Sequence, residues 1–129
     1  MKNNFITLAG LIGALTVALG AFGAHALKDK IEPGTLEIYK TAVLYQFIHV
    51  LALLGTGILC KFYPNKTMQW AGGLFVAGIV LFSGSLYALV FILNSGSNGL
   101  RWLGAVTPVG GLCFIAGWLC LALGAKKAA

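Results

Sequence analysis

Hydrophobic residues are gathered along this chain into four long runs that are separated by short polar breaks. The runs extend over residues 5–27, 41–60, 70–93 and about 102–124. Each run is close to the ~20 residues that a helix needs to cross the hydrocarbon core at 1.5 Å per residue. The pattern predicts an all-α fold, a polytopic membrane protein built as a four-transmembrane-helix bundle.

The polar breaks indicate where the helices begin and end. Pro33-Gly34 marks a turn, and Thr35 has the side chain of a helix N-cap, with Glu37 in the first turn, where an acid suits the helix dipole. The connections are too short to separate two domains, so residues 1–129 are expected to form a single transmembrane domain. The helices are predicted over about 5–27, 35–62, 68–93 and 101–124.

Composition agrees with a lipid environment and excludes one class of partner. Of the 129 residues, 59% are hydrophobic and 9% are charged, against roughly 25% charged in an ordinary soluble domain. The basic residues lie mostly at the ends of the apolar runs, where they anchor helices at the level of the lipid headgroups. No basic block with interleaved aromatic residues lies outside the runs, so we expect membrane lipids as partners and no nucleic acid.

The basic residues are divided almost evenly between the two sides of the membrane, five on one side and four on the other. Side A holds both termini and the 61–66 loop, with Lys2, Lys61, Lys66, Lys126 and Lys127. Side B holds the 28–40 and 94–101 loops, with Lys28, Lys30, Lys40 and Arg101. Because cytoplasmic loops carry the excess of Lys and Arg, this distribution weakly favours termini in the cytoplasm.

Polar side chains within the apolar runs are concentrated in the half of the predicted bilayer that adjoins side B. All four helices contribute, at depths of roughly 3 to 15 Å from the side-B ends of their runs. His49 follows Tyr45 by one helical turn and Gln46 lies beside them, so we expect these three side chains to point inward together. The full set is His25, Tyr45, Gln46, His49, Ser83, Ser85, Tyr87 and Thr107.

Two interpretations of this polar set compete. In the first, its members hydrogen-bond to each other and fix the register of the helices, as buried polar groups normally do, in a structural or accessory membrane protein. In the second, they line a cavity that opens to side B and serves binding or transport of a small molecule, lipid or ion, because intramembrane ionisable residues often mark function. An enzyme is not favoured, since every carboxylate lies between residues 28 and 37, away from His49.

No cofactor or metal site is predicted. Cys60, Cys113 and Cys120 form no CxxC pair and lack the spacing of metal ligands, so packing is their expected role. His25 and His49 differ in depth by ~9 Å, which disfavours ligation of one haem iron by both rings.

The fourth run is interrupted between Thr107 and Gly111. If the helix is continuous, Pro108 deprives the Gly104 carbonyl of its donor and kinks the axis within a segment that also contains Gly110. Alternatively, Thr107 is an N-cap and Pro108 is the first helical residue. Broken helices at such places occur in transporter binding sites, although proline and glycine are also tolerated in ordinary membrane helices.

Three small-xxx-small pairs occur among the 18 glycines, at Gly20 and Ala24, Gly73 and Ala77, and Gly84 and Ala88. Small residues let helix backbones approach closely in lipid. We expect these pairs to pack helices within the bundle. A homo-oligomer or a membrane-protein partner is the alternative use of the same motif.

Four motifs in order along the chain carry a family resemblance. They are GAFGAHAL at 20–27, YQFIH at 45–49, FSGSLY at 82–87, and TPVGG at 107–111 followed by Gly117-Trp118. In these motifs the chain resembles the YgdD/YwdK-like family of small bacterial inner-membrane proteins, a family of unknown function. The resemblance covers nearly the whole chain and implies a four-helix protein of the cell (inner) membrane, without implying a reaction or a ligand.

Overall fold

The computed structural model describes residues 4–96 and 102–128, which fold into four long helices joined by short connections. Each helix is long and apolar enough to cross a bilayer, and the described ranges contain no strand. The predicted all-α, four-helix membrane fold is confirmed. We label the helices α1 (Phe5–Leu27), α2 (Pro33–Phe62), α3 (Lys66–Asn94) and α4 (Leu103–Ala128).

The start of α2 differs from the prediction. The helix begins at Pro33, because proline suits the first helical turn, where its missing N–H would have no partner. Glu32 precedes the helix, and its side chain makes no capping hydrogen bond. Thr35 is therefore buried inside the first turn, and its prediction as the N-cap is wrong.

The ends of α3 and α4 also lie beyond the predicted ones. α3 begins at Lys66 because the Asn65 side chain accepts a 2.9 Å hydrogen bond from the Met68 amide and caps the helix. α4 continues to Ala128, past the predicted end at residue 124. The predicted start of this helix, at Arg101, lies outside the described residues.

α2 and α3 occupy the centre of the bundle, and α1 and α4 flank them. α1 packs on α2, α2 on α3, and α3 on α4. α1 and α4 direct most of their side chains towards lipid, whereas α2 contributes many buried residues. The hydrophobic core joins Leu53 of α2 to Phe75 of α3 and Phe114 of α4. A site inside the protein would therefore be built on α2 and on the surfaces of α3 and α4 that face it.

The seam between α3 and α4 is a series of glycines, each opposed by a large residue of the other helix. A Cβ atom at Gly117 would lie 2.8 Å from the Phe75 ring, and one at Gly110 would lie 2.3 Å from the backbone nitrogen of Phe82. Such close contact between helices is the main source of association in lipid, so these contacts fix the register of α4 against α3. In order along α3, the opposed residues are Met68 and Gly124, Phe75 and Gly117, Gly78 and Phe114, and Phe82 and Gly110.

The glycines of the small-xxx-small pairs are mostly not the ones that pack helices within the chain. A Cβ atom at Gly73 or Gly84 would have no neighbouring atom within 4 Å. At Gly20 it would make an ordinary contact of 3.5 Å with the Val43 side chain. The expectation of tight packing within the bundle is therefore wrong for Gly73 and Gly84, because these residues lie on faces of α3 that no other helix covers.

Two π-helical turns adjoin the region of the predicted polar set. The first, Gly23–Leu27, ends α1, and the second, Ile79–Ser83, interrupts α3. A π-helical turn inserts a residue, which widens the helix and redirects its side chains. In α3 this turn brings the Phe82 backbone against Gly110 and the Ser83 hydroxyl against α2.

α4 is continuous across Pro108, so the interpretation with Thr107 as an N-cap is wrong. The Gly104 carbonyl consequently has no N–H donor one turn ahead. A kink at this point stays a prediction. Gly110 packs against the Phe82 backbone in the seam between α3 and α4, where a side chain would not fit. At Gly111 there is more room, since a Cβ atom would lie 3.8 Å from the Phe82 ring.

Gly110→Ala is expected to destabilise the protein, because the added methyl group would meet the Phe82 backbone, which cannot rotate away. Overpacking of this kind costs about 1–3 kcal/mol of unfolding free energy. Gly104→Ala, on the same helix, is the matched control, since a Cβ atom there meets open space. Reversible unfolding in mixed micelles, followed by circular dichroism, measures both variants. Equal unfolding free energies would contradict the close contact between α3 and α4.

Candidate functional site

The predicted polar set forms several separate hydrogen bonds, and these join different pairs of helices. They are not connected into a single network among the residues that the structure describes. His25 and Tyr45 contribute no side-chain hydrogen bond to these links. The six members that take part are Gln46, His49, Ser83, Ser85, Tyr87 and Thr107.

His49 lies at the centre of the protein, only 4% exposed, and both of its ring nitrogens are engaged. The Trp118 indole of α4 lies 3.1 Å from Nε2, and the Tyr45 carbonyl oxygen lies 2.7 Å from Nδ1. Because an indole N–H can only donate, Nε2 is the acceptor and Nδ1–H donates to the carbonyl of Tyr45. The imidazole stacks on the Phe114 ring with centroids 3.5 Å apart, and the Phe75 ring is 5.8 Å away. Neither ring nitrogen is left for a metal or a substrate.

Gln46 and Ser83 join α2 to α3. Gln46 is 3% exposed, and its Oε1 accepts a 2.6 Å hydrogen bond from the Tyr87 hydroxyl. Ser83, in the π-helical turn of α3, is fully buried and donates a 2.8 Å hydrogen bond to the Ala42 carbonyl. Polar groups at this depth have no water to bond, so each of these bonds favours the observed register of the two helices.

Ser85 and Thr107 join α3 to α4. Their hydroxyl oxygens lie 2.6 Å apart. Ser85 also donates a 2.9 Å hydrogen bond to the Phe82 carbonyl of its own helix. Each hydroxyl has one proton, and the Thr107 hydroxyl also lies 3.4 Å from the Leu103 carbonyl of its own helix. Because the Ser85 bond to Phe82 is the shorter of the two carbonyl bonds, Thr107 is assigned as the donor to Ser85.

α1 is joined to α2 by Tyr39, which lies outside the predicted polar set. Its hydroxyl donates a hydrogen bond to the Leu19 carbonyl of α1. A Cβ atom at Gly23 would lie 2.4 Å from the Tyr39 ring, so the absence of a side chain at Gly23 makes room for this ring. The ring also packs edge-on against Tyr87, with centroids 5.4 Å apart.

The structure separates His25 from the buried members of the set and places the Tyr45 side chain at their edge. His25 lies in the π-helical turn of α1 and is exposed. Tyr45 is 39% exposed, and its ring stacks on Phe82 with centroids 4.5 Å apart. Tyr45 points inward only in part. Its ring lies 6.1 Å from the His49 ring, at the edge of the inward stripe of α2 that Gln46 and His49 occupy.

Sequence reasoning missed Tyr39 and Trp118 as members of this site. Tyr39 precedes Gln46 by seven residues and therefore shares its face of the helix, which is a signal that could have found it. Trp118 belongs to one of the family motifs, but no spacing within a helix links it to His49, because its partner is on another helix and only the packing of α4 brings them together.

The chemistry of this arrangement is that of interhelical hydrogen bonds. Within residues 4–96 and 102–128, every fully buried side-chain nitrogen or oxygen has a hydrogen-bond partner. The same ranges contain no group of three His, Cys, Asp or Glu side chains that could hold a metal ion. Among these fully buried side-chain atoms, none is left unpaired for a ligand.

Known proteins similar to this chain are bacterial membrane proteins. The sequence model of the DUF423 family, described as a protein of unknown function, matches residues 19–111. The UPF0382 membrane protein SSP2132 of Staphylococcus saprophyticus is 42% identical over 123 residues, which cover 95% of this chain and 97% of that protein. A UPF0382 membrane protein of Haemophilus influenzae is 42% identical over 127 residues, covering 98% of this chain and 97% of its own length.

The UPF0382 membrane protein YwdK of Bacillus subtilis is 41% identical over 124 residues, covering 95% of this chain and 96% of its own length. The family resemblance inferred from the four sequence motifs is thereby confirmed. No solved structure matches the chain.

Tyr87→Phe is expected to lower the unfolding free energy by about 0.6–1.7 kcal/mol, the range for interhelical hydrogen bonds in membrane proteins. The variant removes only the hydroxyl that donates to Gln46. Tyr45→Phe is the matched control, since it makes the same chemical change on an exposed ring whose hydroxyl takes no part in these links. Thermal or detergent-induced unfolding of both variants measures the difference. A Tyr45→Phe variant as unstable as Tyr87→Phe would contradict the assignment of the α2–α3 link.

Proposed function

This chain belongs to the DUF423 family, and from that premise we propose that it is a structural or accessory protein of the bacterial inner membrane. The side-B hydrogen bonds are the interhelical bonds of Tyr39, Gln46, His49, Ser83 and Ser85. In this proposal they hold the four helices in one register. Its action is exerted through the outer surface, towards lipid or a protein partner. The observation that carries the proposal is that both ring nitrogens of His49 are hydrogen-bonded within the protein.

A histidine that binds a ligand presents at least one ring nitrogen to it. In this protein Trp118 occupies one nitrogen, the Tyr45 carbonyl occupies the other, and Phe114 covers a face of the ring. Turning the ring towards a ligand would leave the Trp118 N–H unpaired within the apolar part of the membrane, where water offers no replacement partner and a lost hydrogen bond costs about 1–3 kcal/mol. This supports a structural role for His49 over a role in binding.

The positions of three surface cavities among residues 4–96 and 102–128 also favour a closed interior. Cavities of about 530, 220 and 100 Å³ are lined by residues other than the predicted polar set. The first two lie towards side A, and the third lies between α1 and α2 beside Gly23 and Tyr39. None of the three supplies the polar cavity that a binding or transport module opening to side B requires.

The distribution of charge supports termini in the cytoplasm. All three acidic residues of the chain lie on side B, where Glu37 pairs with Lys40 at 3.0 Å. Side A has five lysines, counting Lys2 before α1, against four basic residues on side B. Because cytoplasmic ends of membrane helices carry the excess of Lys and Arg, we orient side A towards the cytoplasm.

Native mass spectrometry of the protein released from its own membranes should show no stoichiometric small polar molecule or ion. The measurement compares the wild type with Gln46→Leu and with the control Tyr45→Phe, after circular dichroism has established that each is folded. Gln46→Leu should lower stability by removing the acceptor of the Tyr87 hydroxyl. A polar ligand that is present in the wild type and the control, and absent from folded Gln46→Leu, would overturn the structural role and establish a binding site.

The orientation is tested with single cysteines in a chain whose three native cysteines are replaced by alanine. A membrane-impermeant maleimide should label Asp29→Cys on spheroplasts and should label Lys126→Cys only after permeabilisation. Both residues are exposed, so accessibility within the fold does not separate them. The opposite labelling pattern would place side A outside the cytoplasm.

A further inference from the structure

A groove of about 530 Å³ extends along the outer face of α3 from the side-A end of the helix. Its lining residues recur at intervals of three and four, so they share one face of the helix. At 1.5 Å per residue the groove reaches ~16 Å along the helix, about half the thickness of the hydrocarbon core. The lining is formed by Lys66, Gln69, Trp70, Gly73, Leu74 and Ala77.

The floor of this groove is not covered by another helix. A Cβ atom at Gly73 would have no neighbour within 4 Å, whereas the adjacent Gly72 receives the Phe5 ring of α1. Trp70 is 69% exposed at the edge of the groove. Because Gly73 and Ala77 carry little or no side chain, the part of the groove that lies within the hydrocarbon core is a shallow apolar channel along the helix.

The end of the groove at the membrane surface has the opposite chemistry. The Lys66 ammonium and the Gln69 amide lie there, at headgroup level, and Trp70 is a residue typical of that level. Lys127 adds a second ammonium at the same end of α3, where it donates a 3.0 Å hydrogen bond to Thr67, the residue that follows Lys66. Every Asp and Glu of the chain is on the other side of the membrane, so no acidic side chain competes for these cations.

We propose that this groove binds one anionic phospholipid, with its phosphate at Lys66 and Gln69 and an acyl chain along Gly73 and Ala77. The cationic end of the groove complements the phosphate headgroup, and the apolar channel complements an acyl chain. Headgroup and chain follow each other along the membrane normal in the same order as the two parts of the groove. A second copy of the chain fits less well. A two-fold axis along the membrane normal would bring both Lys66 residues to the same depth on facing surfaces, which places like charges together.

Titration of the detergent-solubilised protein with phosphatidylglycerol, followed by native mass spectrometry, tests the proposal. Wild type should bind one phosphatidylglycerol in preference to phosphatidylcholine. Lys66→Gln should weaken binding about fivefold, which corresponds to the ~1 kcal/mol that a lysine near an anionic membrane surface contributes. Lys61→Gln removes the same charge from side A at a position outside the groove, and it should leave binding nearly unchanged. Equal weakening by both variants, or equal binding of both lipids, would overturn the site.

The apolar channel is tested separately with Gly73→Leu, which fills the channel and should abolish specific binding. Gly84→Leu is its control, on the same helix, where a Cβ atom also meets open space. Soluble glycerol phosphate should not compete, and competition by it would assign the groove to a soluble phosphate instead. A wild-type dimer that Gly73→Leu converts to a monomer would assign the groove to a second copy. Gln46→Leu should retain the lipid, so this proposal and the structural role of the side-B hydrogen bonds fail independently.

Discussion

Helices in a bilayer gain little by burying apolar side chains against each other, because lipid tails are equally apolar. Close backbone contact and interhelical hydrogen bonds must therefore hold this protein together. The glycines of the α3–α4 seam provide the first, most directly where Gly110 meets the Phe82 backbone. The second is provided by the bond between His49 and Trp118, which joins α2 to α4, and by the link between Gln46 and Tyr87.

The two halves of the bundle rely on these interactions to different degrees. Side-chain hydrogen bonds between helices join α1 to α2, α2 to α3, α3 to α4 and α2 to α4 in the side-B half and near the bilayer centre. Towards side A, the contact of α3 with α4 is completed at the helix ends. Asn65 both caps α3 and donates a 3.2 Å hydrogen bond to the Gly124 carbonyl of α4. One side chain thus determines where α3 begins and where α4 lies against it.

A consequence for function is that the polar chemistry of the interior is directed at the protein itself. His49 is the residue most suited to ligand binding by type, yet its nitrogens and one ring face are covered. The proposed function accordingly places binding of lipid or a protein partner on the outer surface, where α1 and α4 are largely lipid-facing and α3 carries an open groove. The two proposals thus concern different parts of the protein: His49 has a structural role in the interior, and the lipid binds at Lys66 on the outer surface.

The sequence by itself determined the four spans, the all-α fold and the concentration of polar residues towards side B, because bilayer thickness and helical rise convert length and apolarity directly into helices and depths. It did not determine which face of each helix meets a neighbour. Gly73 and Gly110 each belong to a pair of adjacent glycines within an apolar run. Yet Gly73 faces open space, whereas Gly110 lies against the Phe82 backbone. Tyr45 and His49 are one turn apart, yet only His49 is buried. Several faces of each apolar helix are compatible with the same periodicity, so only the shapes of the neighbouring helices decide which one is buried.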